Sequence, residues 1–309
     1  MSVMPGTAQC GRLADGRWFF QHGPIDCVIG AEGEQRAVAQ AVDAAWRRFG
    51  GLLDELVAEL PLLRADLSAP NSSSIAPAGP VACRMVDACR LHAVPGRFIT
   101  AMASVAGSVA QELIGFFERP GIHRAHVNNG GDIALHLTPG TWFDIGLVTD
   151  PDARSGLAGQ FRIHAESPIR GVATSGWRGR SLSLGIADGV TVLAATAAQA
   201  DAAATVIANA VNVDDARVQR VPANRMRDGS DLGDRLATCA VATLPAELVA
   251  QALAAGAAQA DHEIAAGHVL AAALCLQGRV RLCGADLALS PPSPGVAGAA
   301  APLPRALSS

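Results

Sequence analysis

Residues 126–137 read HVNNGGDIALHL, two short runs of alternating polarity joined by a pair of glycines. Glycine enters positive φ without a Cβ penalty, and Asn-Gly is a favoured hairpin dipeptide, so these runs pair as antiparallel neighbours. The same pattern recurs along the chain. Residues 17–30 read as a hairpin around HGP, and WFDIGLV follows a Pro-Gly turn. Strand-like runs continue at 161–166, 171–174, 181–188 (SLSLGIAD) and 189–195, and return later as ATCAVATL and RVRLC.

Helical periodicity dominates the first third. Over 34–63, Val38, Val42, Ala45, Phe49, Leu52, Leu53, Leu56 and Leu60 recur at three and four, with Gly50-Gly51 as the place for a kink. Residues 81–91 and 98–117 read as further helices. The second carries AMASVAGSVA, small enough to lie against a neighbouring backbone. Thr196 and Gln199 form a T-x-x-Q capping box that opens a helix over 196–212. PAELVAQALAAG and HEIAAGHVLAAAL read as two more helices. No GxGxxG follows a strand, and strands do not alternate one by one with helices. The expected class is therefore α+β with antiparallel sheet, in one domain over 1–286. Residues 65–80 form an exposed loop, and the Pro/Ala-rich tail from 287 to 309 is expected to be disordered.

Composition removes several chemistries. All 24 cationic residues are arginine and there is no tyrosine, so Schiff-base, phosphate-loop and kinase-type lysines are excluded, as are tyrosine acids and acceptors. A net charge of −4 without a basic stripe gives no nucleic-acid footprint and no electrostatic membrane mode. The seven cysteines are scattered without a CxxC pair, which speaks against a disulfide framework and a cysteine zinc site. Most read as small buried residues. The start lacks an apolar signal region, and Asp201, Thr205 and Asn209 interrupt the longest Ala-rich stretch. A cytoplasmic location is expected.

Three segments carry candidate chemistry. In Asn128-Asn129-Gly130-Gly131-Asp132, glycine-exposed N–H groups suit phosphate oxygens; an ordinary hairpin turn is the plainer alternative. Residues 169–188 gather Arg170, Arg178 and Arg180 with Thr174, Ser175 and Trp177 among glycines. That set suits a pyrophosphate beside a flat ring, or else a solvated turn. On the helix after Thr196, Asp201, Thr205, Asn209 and Asn212 fall within a stripe of about 80° at about 100° per residue. Asp201 and Thr205, one turn apart, can share a hard cation such as Mg²⁺; a narrow solvent face is the alternative. His123 and His126 lie three apart on a strand, hence on opposite faces, and His22, His136 and His164 read as structural.

In order and spacing, these segments resemble the ApbE-like superfamily of flavin transferases. The motifs are Gly130-Gly131-Asp132, Thr174-Ser175-Gly176, Val190-Thr191-Val192, and Ala200-Asp201 with Thr205. The wording VNNGGDIALHL, GVATSGWRGRSLSLGIADGVTVLA and ADAAATVIANAV is similar to a shorter, uncharacterised branch of it, over most of 20–275. The resemblance implies a T-fold-like α+β architecture in two related halves. It also implies FAD and Mg²⁺ as ligands, and transfer of FMN to a threonine hydroxyl of an acceptor protein with release of AMP. Asp201 and Thr205 would hold Mg²⁺. Asn129, Gly130, Gly131, Asp132, Thr174, Ser175 and Gly176 would line the nucleotide pocket, with Arg178 and Arg180 beside it. The chain departs from the pattern where flavin transferases carry H-I-I-D-P-x-T-G: it has RGRSLSLGIADG, with Asp188 as the remnant in a catalytic position. It also lacks the family's lysine, having ITAMASVAGSVA there. A non-catalytic flavin or anion-binding protein is the alternative function. Expected partners are a nucleotide or flavin and an acceptor protein, with homo-oligomerisation left open.

Overall fold

The structure is a computed structural model that describes residues 6–147 and 159–284. In chain order the strands are β1 (Gln9–Arg12), β2 (Trp18–His22), β3 (Ile25–Gly33), β4 (Ile122–Asn129), β5 (Asp132–Leu137), β6 (Trp142–Leu147), β7 (Gly159–His164), β8 (Gly171–Ser175), β9 (Gly189–Ala194), β10 (Val218–Pro222), β11 (Leu236–Val241), β12 (Ala271–Leu276) and β13 (Arg279–Cys283). The helices are α1 (Gln35–Ala58), α2 (Leu60–Leu63), α3 (Pro80–Arg90), α4 (Val105–Ile114), α5 (Ala197–Ala210), α6 (Ala223–Met226) and α7 (Ala246–Ala265).

One antiparallel sheet runs β1-β2-β3-β4-β5-β8-β9-β12-β13. Its order reveals two similar halves. In the first, β2–β3 leads through α1 to α4 into β4–β5. In the second, β8–β9 leads through α5 to α7 into β12–β13. Each half is thus a strand pair, a helical section and a strand pair, joined edge to edge where β5 meets β8. This is the T-fold-like α+β layout that the sequence motifs imply.

The helices cover one face. Val38, Val42, Ala45, Phe49, Leu52, Leu53 and Leu56 of α1 are buried against that half of the sheet. Ala173, Val190 and Val192 lie under the alanines of α5 and α7. Alternation sends Val172 and Leu193 to the other face, where they meet Phe143, Ile145 and Ile163 of the β6–β7 hairpin. No helix among the described residues is long and apolar enough to cross a membrane.

Several sequence expectations need correction. α1 passes unbroken through Gly50-Gly51, and a short α2 follows it around Pro61. The helix expected over 98–117 becomes regular only at Val105, after a 3₁₀ turn whose N-cap, Thr100, accepts from Met102 N–H at 3.2 Å. Residues 181–188 are not a strand: Ile186 N–H donates to Val211 C=O, and Asp188 N–H to Cys275 C=O. PAELVAQALAAG and HEIA form one continuous helix, α7. Gly267, at φ 76°, ends the helical path, and LAAAL enters the sheet as β12, sandwiched between β9 and β13. The 65–80 loop contains a 3₁₀ turn at Ser72–Ser74, and Pro80 already begins α3. The tail from 287 lies outside the described residues. Of the cysteines, Cys27, Cys89, Cys275 and Cys283 are buried, Cys83 and Cys239 half-buried, and Cys10 exposed.

Candidate functional site

The GGD segment is the β4–β5 turn. Asn129 pairs with Asp132 across it, and Gly130 and Gly131 sit at φ 68° and 117°, where side chains are disfavoured. Gly131 N–H donates to Asn128 Oδ1 at 2.8 Å, which locks the turn. The Arg180 guanidinium lies directly over Gly130, where a Cβ would overlap it. Its Nη1 pairs with Asp26 Oδ2 of β3 at 3.2 Å. A residue 50 positions downstream in sequence thus stands over the turn, and Gly130 makes room for it.

Small residues then bring two helices to the same place. Asn129 donates through Nδ2 to Ala106 C=O at 3.2 Å, and Gly107 N–H donates to Asp201 Oδ2 at 2.8 Å. A Cβ at Gly107 would stand 2.8 Å from Asp201 Cβ and would overlap the Ala197 carbonyl, so only glycine permits this approach of α4 to α5. Asp132 Oδ1 accepts from Thr174 N–H of β8 at 3.2 Å. The turn, the first turns of α4 and α5, and the end of β8 therefore converge on two carboxylates.

Asp132 is buried and Asp201 half-buried. Burial pushes Asp132 up to about 7, against the Thr174 N–H and the Arg180 charge, which favour its ionised form. Burial, then the negative charge of Asp132, holds Asp201 well above the usual carboxylate range despite the N–H groups of Gly107 and Ala106. Among the described residues neither takes part in an ion pair; Arg180 is committed to Asp26. Two like charges in a low-dielectric setting ionise together only at a cost, which a cation removes.

The other expected residues divide between this centre and its surroundings. Thr205 follows Asp201 by one turn on α5 and is half-buried. Thr174 reaches the centre through its N–H alone, because its hydroxyl points to the opposite sheet face, 2.9 Å from that of Thr191. Ser175 shares the face of Ala173, and Gly176 fits where a Cβ would stand 2.6 Å from Asp188 C=O. Asp188 has a structural set of contacts. Its Oδ1 accepts from Trp177 Nε1 at 3.2 Å and Arg178 Nε at 3.0 Å, and its Oδ2 from Gln277 N–H at 2.5 Å. It ties the 177–178 turn to the β12–β13 turn, and Arg178 is engaged with it. The polar stripe of α5 also divides. Asn209 Oδ1 accepts from Leu184 N–H at 2.9 Å and Ser183 Oγ at 3.2 Å, and Asn212 Nδ2 donates to Leu184 C=O at 3.3 Å. Its last two members hold the 181–188 segment, while Asp201 belongs to the acidic centre and Thr205 stands one turn further along α5. His126 is a packing group: burial lowers it to about 4, and its ring meets Phe143 edge-on at 5.5 Å.

Sequence reasoning missed Gly107, Ala106 and Asp26 as members of this constellation. The small-residue run around Gly107 signalled close packing, without identifying the partner. Two carboxylates and a hydroxyl make an oxygen-only donor set, which fits a hard cation such as Mg²⁺ rather than a soft one.

Fold and site together define an α+β protein of two strand–helix–strand halves, with an acidic pair at their seam, Asp132 buried and Asp201 half-buried. The chain belongs to the family described as AbpE bacteria, which matches residues 10–282, and to the UPF0280 branch of the ApbE-like superfamily. The UPF0280 protein of Methanothermobacter thermautotrophicus is 40% identical over 135 residues, 43% of this chain and 50% of the relative. That of Methanothrix thermoacetophila is 32% identical over 199 residues, 64% of this chain and 78% of the relative. The alignment thus spans about half the length of the first of these relatives. Among solved structures, the apo flavinyl transferase ApbE of Pseudomonas stutzeri is 14% identical, with a TM-score of 0.39 over 92% of this chain and 96% of that one.

Proposed function

We propose that the protein binds a flavin nucleotide with Mg²⁺ at the β4–β5 turn and cleaves the FAD pyrophosphate, passing FMN to an acceptor hydroxyl or to water. The observation that carries this reading is the pairing of buried Asp132 with half-buried Asp201 beside a glycine turn, both carboxyls raised in pKa and with no ion-pair partner among the described residues. Asp132, Asp201 and Thr205 would hold the ion, which when bound offsets phosphate charge. Gly131, open on its Cβ side, lets a ligand approach the backbone, and Arg180 supplies positive charge beside it over Gly130. In the reaction, an oxygen nucleophile forms a bond to the FMN phosphorus, the pyrophosphate P–O bond breaks, and AMP leaves with the bond's electron pair. The nucleophile's proton passes to solvent.

A second reading, a flavin or anion binder without turnover, is favoured by Asp188. Both of its oxygens are occupied, and it is the one residue that the sequence puts in a catalytic position. Incubation with FAD and Mg²⁺, followed by chromatography for AMP, separates the two. The transferase or pyrophosphatase reading predicts AMP release that falls about a hundredfold or more in Asp201→Asn. FAD binding without AMP establishes the binder. Neither AMP nor a melting shift with FAD, FMN or ATP ends the nucleotide reading.

A further inference from the structure

A second ligand cluster lies outside the acidic pair and shares no residue with it. His92 follows α3, Glu263 is in the last turn of α7, and His268 follows Gly267 just beyond that helix. One donor atom from each lies within 4.8 Å of the others. Glu263 Oε2 stands 3.0 Å from His92 Nδ1 and 2.9 Å from His268 Nδ1. Glu263 and His92 are each 1% exposed, whereas His268 is half-buried and leaves a path to solvent.

The unusual member is His92. Both of its ring nitrogens are buried without a hydrogen-bond partner, although Nδ1 is close to the Glu263 carboxylate. A buried imidazole with neither nitrogen satisfied loses its hydration without recovering a hydrogen bond. Proximity without hydrogen-bond alignment is what two lone pairs show when both are directed at a third atom. The rings of His92 and His268 stand edge to face at 83°, so their nitrogens approach the carboxylate from different directions. An outer shell fixes the carboxylate: Gln259 Nε2 donates to Glu263 Oε1 at 2.6 Å, and Arg97 Nη2 donates to Gln259 Oε1 at 2.8 Å. Arg97 Nη1 also donates to His92 C=O at 3.2 Å, so one arginine braces two of the three ligand-bearing residues. Such bracing of ligands is the usual companion of a metal site.

We propose that His92, Glu263 and His268 bind a transition-metal ion, Zn²⁺ by their two-imidazole, one-carboxylate chemistry, with water as fourth ligand on the exposed side of His268. Tetrahedral bonds of about 2.0–2.1 Å set donors about 3.3 Å apart, so the two imidazole–carboxylate separations widen by a few tenths of an ångström as the ion enters. The ion pins the end of α3 to the end of α7, and so the first helical section to the second.

The test uses the untagged full chain, stripped with chelator, incubated with Zn²⁺, desalted and analysed by plasma mass spectrometry. Co²⁺ loading provides a visible spectrum. The expected result is near-stoichiometric zinc and a tetrahedral cobalt band in wild type and in Asp201→Asn. Zinc affinity falls by at least about tenfold in His268→Gln and in His92→Gln. If His92→Gln does not fold, the half-buried His268→Gln decides, with circular dichroism confirming its fold. Wild type without retained zinc, or zinc retained unchanged in a folded His268→Gln, overturns the assignment.

Discussion

Gly107 holds the acidic centre together by having no side chain. Alanine in a helix interior is favoured over glycine by about 1 kcal/mol, so propensity alone predicts that Gly107→Ala stabilises α4. The added methyl would overlap the Ala197 carbonyl, a backbone atom that cannot rotate away, and would press on Asp201 Cβ. Overpacking of this kind costs about 1–3 kcal/mol, and it wins. Gly107→Ala is therefore expected to lower the urea midpoint at an unchanged slope. Because the same movement displaces Asp201 from the Gly107 N–H, the variant also binds divalent cations more weakly than wild type. A midpoint equal to or above wild type would show that the two helices are not in the contact described.

Among the elements, α1, α3 and α4 are joined by one carboxylate. Glu112 Oε1 accepts from Arg48 Nε at 2.7 Å, and Glu112 Oε2 from both terminal nitrogens of Arg84 at 3.1 Å. Burial acts to raise the Glu112 pKa, but the hydrogen bonds and charges of Arg48 and Arg84 outweigh it, and the net shift is downward. An acid whose folded pKa is depressed adds stability above its unfolded pKa of about 4.3 and loses it as pH falls through the folded value. With solvent screening at a partly exposed site, about 1 kcal/mol is expected from the cluster. Glu112→Gln should therefore unfold more readily than wild type at neutral pH, and the gap should close as pH falls below about 4. Denaturant titrations at several pH values measure this; a gap independent of pH would assign the loss to packing.

Elements of this kind were legible where a local signal existed. The three-four rhythm of α1 and the Thr196 cap of α5 are written in adjacent residues, and Thr196 Oγ1 does accept from Gln199 N–H at 3.3 Å. LAAAL was misread as helix because a short apolar run of small residues has no period that separates a central strand from a buried helix. SLSLGIAD has strand-like alternation, yet its backbone partners include Asn209, Val211, Thr238 and Cys275, which no local rule supplies. The site divides in the same way. The Asp201–Thr205 spacing and the glycine turn are local, whereas the bonds from Gly107 to Asp201 and from Thr174 to Asp132 close over 94 and 42 residues. His92 and His268 escaped notice for that reason, since the residues that make them a cluster lie at the ends of α3 and α7, which are far apart in sequence.

For the molecule as a whole, the acidic pair occupies the seam between halves. Asp132 opens the last strand of the first half, and Asp201 lies on the first helix of the second. An ion that binds both carboxylates in the folded chain stabilises the junction by mass action, since the unfolded chain offers no such pair. The central claim is that Asp132 and Asp201 form one divalent-cation site. Its most direct measurement is titration of the chelator-stripped, zinc-reloaded protein with Mn²⁺, a spectroscopic substitute for Mg²⁺, with free ion followed by electron paramagnetic resonance. The expected result is a Mn²⁺ site that Mg²⁺ displaces, that Asp132→Asn and Asp201→Asn each remove, and that His268→Gln leaves in place. Equal Mn²⁺ binding by wild type and both aspartate variants would contradict it.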